Sequence, residues 1–217
     1  MAPGLAWEHG VSLLTGRDDA CFGLHITLNS EWDSVKWGPV LPRELVPSLV
    51  DSNGFFKPTP KHLQDDGFSI EEAMSEIRAQ LLKARQAGFA IQTIDEHMGV
   101  GWITEPRQGS LQDHIDQLAR QEGLAQWHLP HLADGEPADD PVDHLLNRCR
   151  GQNPKFIVFH PGLDHHDMQA YQHTGLSVGQ IARERQADTD LLTDPELATR
   201  LRKAGVTPVT LLEALAR

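Results

Sequence analysis

The sequence predicts an α/β fold made of parallel βα units, with helices outside either an open sheet or an (α/β) barrel. Three observations lead there. Short apolar runs of strand character alternate with amphipathic stretches of helical period, the helical stretches open on capping signatures, and no fixed repeat, low-complexity block or long linker interrupts the alternation. With 217 residues the chain can form one domain that buries about 70% of its unfolded surface. A single domain over residues 1–217 is therefore the economical expectation.

The first predicted strand covers residues 22–28. Phe22, Leu24, Ile26 and Leu28 alternate with Gly23, His25 and Thr27, a period of two that sets His25 on the face opposite the apolar side chains. From Asp33 to Gln64 the chain is dense in Pro and Gly and reads as a long excursion, a kind of segment that often walls a binding site. A helix follows in "FSIEEAMSEIRAQLLKARQAG", where Ser69 and Glu72 form a capping box. Ile70, Ala73, Met74, Ile77, Leu81 and Ala84 share one of its faces, up to Gly88. "FAIQTI" is the next strand candidate. "SLQDHIDQLARQEG", with Ser110 as cap and Asp113 in the first turn, then leads into the short apolar run "LAQWHL". In "DPVDHLLNRCRG" Asp140 precedes Pro141 at the first helical position, and "KFIVFHPG" is the most strand-like segment of the chain. "TDPELATRLRKAG" repeats the Asp-Pro device at Asp194 and Pro195. "VTPV" and a last helix boxed by Thr210 and Glu213 close the sequence.

Charge and composition exclude several classes of function. Nineteen Lys and Arg against 31 Asp and Glu give a net charge of −12, a poor match for a phosphate backbone or an anionic leaflet. No nucleic-acid or membrane partner is expected. No stretch approaches the roughly 20 apolar residues that span a bilayer, and "MAPGLAWEHG" lacks the basic start and apolar region of an export signal. Two cysteines, Cys21 and Cys149, make a disulfide framework improbable and fit a cytoplasmic chain. Gly23, Gly99 and Gly162 match no phosphate-loop or dinucleotide pattern.

Of the 12 histidines, three stand at predicted strand ends: His25 in "GLHITLN", His97 in "TIDEHMG" and His160 in "FIVFHPG". Ligands of parallel βα folds bind at the C-terminal strand ends, where imidazoles from separate strands can share a divalent metal with carboxylate oxygen. Asp95 could ligate such a metal, orient an imidazole or activate water. Each of these residues also has a plain structural explanation. "LDHHD", residues 163–167, has the look of a metal tract, yet a polar loop after a strand is the plainer explanation. Trp32 and Trp37 are suited to stacking on a sugar ring, and packing of the excursion accounts for them equally well.

The blocks "FGLHITLNSEWDSVKWGPV", "IDEHMG", "FIVFHPG" and "LLTDPELATRLRKAGV", in this order, resemble the YdjC-like carbohydrate deacetylases, metal-dependent hydrolases that remove acetyl groups from N-acetylated sugars. The resemblance implies a deformed or incomplete (β/α) barrel, a divalent Mg or Zn ion held by His25 and His97, and His160 at the reaction centre as general acid to the leaving amine. Asp95 joins His160 as an expected catalytic residue, and Trp32 and Trp37 as expected substrate contacts. Two departures from the family pattern stand out. The strand ending in an acidic pair that opens the family is not found, since Asp18 and Asp19 immediately precede the "GLH" strand, and the chain is expected to be N-terminally shortened. Thr93 occupies the place of the first histidine of the family's "HxDxH" block.

The leading expectation is thus hydrolysis of the N-acetyl amide of a small amino-sugar or oligosaccharide. Alternatives are a non-catalytic sugar-binding or assembly protein on the same fold, and another metal-dependent amidohydrolase. A barrel lacking its first strand would leave residues such as Phe22 or Leu24 partly uncovered. A homodimer across that gap is the expected remedy, with a fold-back of "MAPGLAWEHG" as the other.

Overall fold

The structure, a computed structural model, describes residues 1–126, 138–149 and 156–215. The chain divides into two compact units, Met1–Gln126 and Trp127–Arg217.

The first unit carries helix α1 (Trp7–Leu14), strand β1 (Phe22–Ile26), helix α2 (Pro60–Asp66), helix α3 (Ile70–Gln86), strand β2 (Ile91–Glu96), the short strands β3 (Thr104–Glu105) and β4 (Gly109–Ser110), and helix α4 (Leu111–Glu122). β1 and β2 are parallel neighbours, with His25 opposite Asp95 and Gly23 opposite Thr93. A Cβ on Gly23 would collide with Thr93 Oγ1, so only glycine permits this approach of the two strands. Ala125 adds a parallel bridge to Thr93, and its N–H donates to Gln92 O at 2.9 Å. Ala125 lies in the short apolar run "LAQWHL", whose residues from 127 on lie outside the described ones. β3 and β4 form a separate antiparallel pair. Both described sheets are two-stranded and open.

The apolar face predicted for α3 is buried in full, from Ile70 through Ala84, against Leu24, Ile26 and Leu28 of the first strand region. Each of the larger aliphatic side chains contributes about 1.5–3 kcal/mol by leaving water. Ser69 caps α3 by accepting from Glu72 N at 3.3 Å, and Ser110 caps α4 by accepting from Asp113 N at 3.2 Å. The same face of α3 also buries two polar residues, Glu76 and Gln80. Gln80 acts as a substitute for a strand neighbour: its Oε1 accepts from Thr27 N at 3.1 Å and its Nε2 donates to Thr27 O at 2.7 Å. β1 ends at Ile26 instead of Leu28 because this amide takes over the ladder positions of Thr27.

Three polar residues one helical turn apart on α3 hold the chain beside it, two of them pinning the excursion and the third the end of the first strand region. Glu72 accepts from Ser48 N and Oγ at 2.8 and 2.7 Å, Glu76 accepts from Val40 N at 2.8 Å and Leu41 N at 3.0 Å, and Gln80 holds Thr27. Trp32, Trp37, Val46, Leu49, Phe56 and Leu63 are buried beneath it. The amino-terminal residues pack against the same unit: Trp7 meets Phe89 with ring centroids 5.8 Å apart, and Lys83 Nζ donates to Ala2 O at 3.0 Å. Leu24, expected to be partly uncovered, is buried; Phe22 is half-buried against Phe89.

The second unit contains helices α5 (Pro141–Cys149), α6 (His166–Gln169), α7 (Gln180–Leu192), α8 (Leu197–Lys203) and α9 (Leu211–Leu215). Asp140 caps α5 by accepting from Asp143 N at 2.9 Å, and the Thr210–Glu213 box forms at α9, Thr210 N donating to Glu213 Oε2 at 2.7 Å and Glu213 N to Thr210 Oγ1 at 3.2 Å. The strand expected in "KFIVFHPG" is the main departure. Beyond a bridge residue at Phe156, the described part of this segment is irregular. Backbone donors at its end and just beyond are captured by α7: His160 N donates to Asp188 Oδ2 at 2.7 Å and Gly162 N to Thr189 Oγ1 at 2.9 Å, and past the segment Asp164 N donates to Gln186 Oε1 at 2.8 Å. Helix side chains take the place that a neighbouring strand would fill. No described helix is long and apolar enough to cross a membrane.

Candidate metal centre

The parallel register of β1 and β2 brings the first two site residues together, since His25 and Asp95 are direct partners. His25 Nδ1 lies 2.7 Å from Asp95 Oδ1. A carboxylate only accepts, so Nδ1 carries a proton, and in the neutral ring Nε2 then keeps its lone pair. Two residues beyond Asp95, and so on the same face of the strand, His97 directs Nδ1 at His25 Nε2 across 3.3 Å. The chain then turns away abruptly: Met98 and Gly99 are both left-handed, at φ 57° and 59°. Met98 is the one non-glycine with positive φ among the described residues, a conformation that costs about 1 kcal/mol or more.

The far side of His97 is held by a residue that sequence reasoning did not single out. His97 Nε2 lies 2.8 Å from Oε2 of Glu31, which stands in the turn after the first strand region, and both side chains are largely buried. Its signal in the sequence was an acid between Asn29 and Trp32 at even spacing from His25. Trp37 completes the support, with its ring 6.2 Å from that of His97 in an edge contact and its Nε1–H donating to Asn29 O at 2.8 Å. Trp32 and Trp37 are both buried, 8% and 4% exposed, so these rings pack within the unit.

The arrangement is two carboxylate–imidazole pairs facing each other. With its outer nitrogen on a carboxylate, each neutral ring presents its inner nitrogen to the other, and two lone pairs at 3.3 Å repel unless a proton or a metal cation lies between them. The spacing suits a metal ion. Two nitrogens bound tetrahedrally at about 2.0–2.1 Å are separated by about 3.3–3.4 Å, and imidazoles anchored through their far nitrogen by carboxylates are the usual support of such ligands. The residues present therefore fit a divalent ion.

Next to this centre, Glu96 accepts from Gly101 N at 2.5 Å, and burial pushes its carboxyl above the usual carboxylate range, assisted by the charges of Asp116 and Asp95. His160 belongs to the second unit, where its side chain is exposed on the irregular segment described above. That unit also holds His165, His166 and Asp167, whose ligand atoms all lie within 4.8 Å of one another and could hold a divalent ion. His166 Nδ1 and His165 Nε2 are 3.3 Å apart and His166 Nε2 is 2.7 Å from Asp167 Oδ1, all on exposed side chains.

Comparison with known proteins bears on the same segments. Two curated carbohydrate deacetylases are similar. One, from Enterococcus faecalis, is 35% identical over 78 residues, 36% of this chain and 28% of that protein. The other, from Oceanobacillus iheyensis, is 30% identical over 97 residues, 45% of this chain and 39% of that protein. The matches thus span well under half the length of these relatives. A crystal structure from Enterococcus faecalis V583, of a candidate cellobiose-phosphate cleavage protein, superposes with a TM-score of 0.68 at 20% identity over 89% of this chain and 77% of that one. The shared fold is α/β, and the open described sheets of this chain are consistent with a deformed or incomplete barrel of the deacetylase type. The sequence profile of YdjC-like proteins matches residues 1–112, a stretch that includes His25, Glu31, Asp95 and His97 and exceeds half of the 217 residues. The chain belongs to the YdjC-like protein family.

Proposed function

We propose that this chain is a metal-dependent hydrolase that removes acetyl groups from N-acetylated sugars or small oligosaccharides. The observation that carries the proposal is the pair of inward-facing nitrogens, His25 Nε2 and His97 Nδ1, 3.3 Å apart, each ring anchored on its outer side by Asp95 or Glu31. The carbohydrate substrate class rests on the similarity to the two deacetylases. A divalent ion, when bound there, supplies Lewis acidity toward the amide carbonyl and a water of lowered pKa.

The chain's own contribution is positional. His25 is fixed by strand register, His97 by the left-handed turn behind it, and both imidazoles are held to one tautomer, which keeps their geometry from relaxing between turnovers. Asp95 is committed to His25 through Oδ1, so its role is to orient that imidazole and, from the same face, to serve as a base. The proton donor to the leaving nitrogen, His160, enters the proposal through the resemblance alone.

A second reading has its own observation. Thr93 occupies a buried position opposite Gly23 on the same strand face as Asp95 and His97, where the family pattern supplies a further imidazole. A non-catalytic sugar-binding protein is consistent with that replacement. The two readings separate in an assay of acetate release from N-acetylated chitooligosaccharides, run with zinc, with magnesium and with chelator, alongside calorimetry of sugar binding. Chelator-sensitive acetate release is the expected result. Sugar binding without acetate release under any metal condition would establish the second reading instead.

A further inference from the structure

We propose that Glu31 is a positioning residue that fixes the tautomer of His97 and thereby aims its Nδ1 lone pair at His25. Its consequence for metal binding rests on the reading of His25 and His97 as ligands; the assignment of the tautomer does not.

The argument starts from the hydrogen-bond capacity of the three groups. Glu31 Oε2 accepts from His97 Nε2 at 2.8 Å, and a carboxylate leaves that nitrogen no role but donor. His25 cannot perform this service for His97, because its own Nδ1 proton is committed to Asp95 and its Nε2 is an acceptor. Without Glu31, His97 has a better use for its proton. Moved to Nδ1, the proton donates to His25 Nε2 across the 3.3 Å gap and closes the pair as an ordinary neutral hydrogen bond. The inner faces would then be a donor and an acceptor matched to each other, with no lone pair left on His97 for a cation. Glu31 therefore selects between two states of the same two rings, one open to a cation and one self-satisfied.

Glu31 is itself well placed to do this. The preceding residue is held: Ser30 N donates to Lys57 O at 3.1 Å, and Ser30 Oγ accepts from Trp37 N at 3.1 Å. Trp37 in turn packs its edge on the His97 ring. The side chains of Glu31 and His97 are only 12% and 15% exposed, so water competes weakly for the bond and the charge-assisted contact is stronger than at the surface.

The test reads the ring nitrogens directly. Nitrogen-15 NMR of the imidazoles in the metal-free chain at alkaline pH reports which nitrogen of His97 carries the proton. Nε2 should be protonated in the native chain and in E31Q, whose amide oxygen still accepts. In E31A the proton should move to Nδ1, and zinc affinity measured by competition with a chelating dye should fall about 10–100-fold, the range for loss of a carboxylate behind a ligating histidine. Circular dichroism and NMR dispersion of E31A and E31Q guard against misfolding. A native chain with Nε2 unprotonated, or an E31A chain with the native tautomer, would overturn the assignment. A native chain that binds no zinc while keeping Nε2–H, with the shift present in E31A, supports the assignment and counts against the metal-dependent reading.

Discussion

Each unit of the molecule contains a pair of histidines with ring nitrogens 3.3 Å apart and a carboxylate within hydrogen-bond distance, and the two pairs are unalike in what holds them. In the first unit His25 lies in β1 and His97 immediately follows β2, each has its own carboxylate, and their side chains are 35% and 15% exposed. In the second, His165 and His166 are consecutive residues, His166 shares with its neighbour a single Asp167, and the two side chains are 64% and 77% exposed. The difference teaches that spacing of ligand atoms is a weak criterion by itself. What distinguishes a built centre is that separate elements, fixed by the core, converge on it and that each ring is locked from behind. The cluster in the second unit can hold a divalent ion, but an exposed pair on one turn sacrifices side-chain entropy to do so and competes with water at every ligand.

The largest expected effect concerns the foundations of the two pairs. Gln80→Ala removes the amide that satisfies both Thr27 N and Thr27 O in the core below His25, leaving two buried polar groups unpaired at a cost on the order of 2–5 kcal/mol. Gln186→Ala removes the exposed side-chain acceptor of Asp164 N near the second pair and should change stability by about 0.5 kcal/mol or less. Urea unfolding of both variants checks the contrast; equal costs would erase the distinction between the two foundations.

A smaller effect is the pH dependence contributed by Glu76. Burial pushes its carboxyl above the ordinary value of 4.5, prevailing over the opposing donors Leu41 N, Val40 N and the Gln80 amide. A folded-state value above the unfolded one means that the folded chain binds the proton more tightly. The associated stability is fully present below the ordinary carboxylate value and is lost as pH rises through the raised one. Glu76→Gln should flatten that slope, at the cost of one acceptor for the backbone of Val40 and Leu41. Unfolding midpoints over a pH series in both chains test it; parallel slopes would show that Glu76 titrates as it does in the unfolded chain.

The sequence carried the skeleton of the first unit well and its polar interior poorly. The caps at Ser69 and Ser110, the buried face of α3 and the β1–α3–β2 order all follow from local patterns whose physics is local: a hydroxyl reaching its own helix, or apolar residues recurring at the helical period. His25, Asp95 and His97 were visible because strand ends and period-two spacing are also local. Glu31 was not assigned, because its meaning depends on a contact with His97 66 residues away. Glu76 and Gln80 stood on the predicted apolar face of α3 and betrayed their burial by that position alone. "KFIVFHPG" failed for the opposite reason: its strand propensity is intact, but α7 captured backbone donors at its end with side chains, and a tertiary partner overrode the local preference.

The central claim is that the converging pair in the first unit, and not the exposed pair in the second, is the principal divalent-ion site. Zinc titration by calorimetry of the full chain, of the double variant His25→Ala/His97→Ala and of the double variant His165→Ala/His166→Ala tests it most directly. The account predicts one tight equivalent in the native chain, retained with unchanged affinity when His165 and His166 are replaced and weakened more than about 100-fold when His25 and His97 are replaced, a larger loss than removal of a supporting carboxylate brings. Tight binding that survives loss of His25 and His97, or that disappears with His165 and His166, would contradict it.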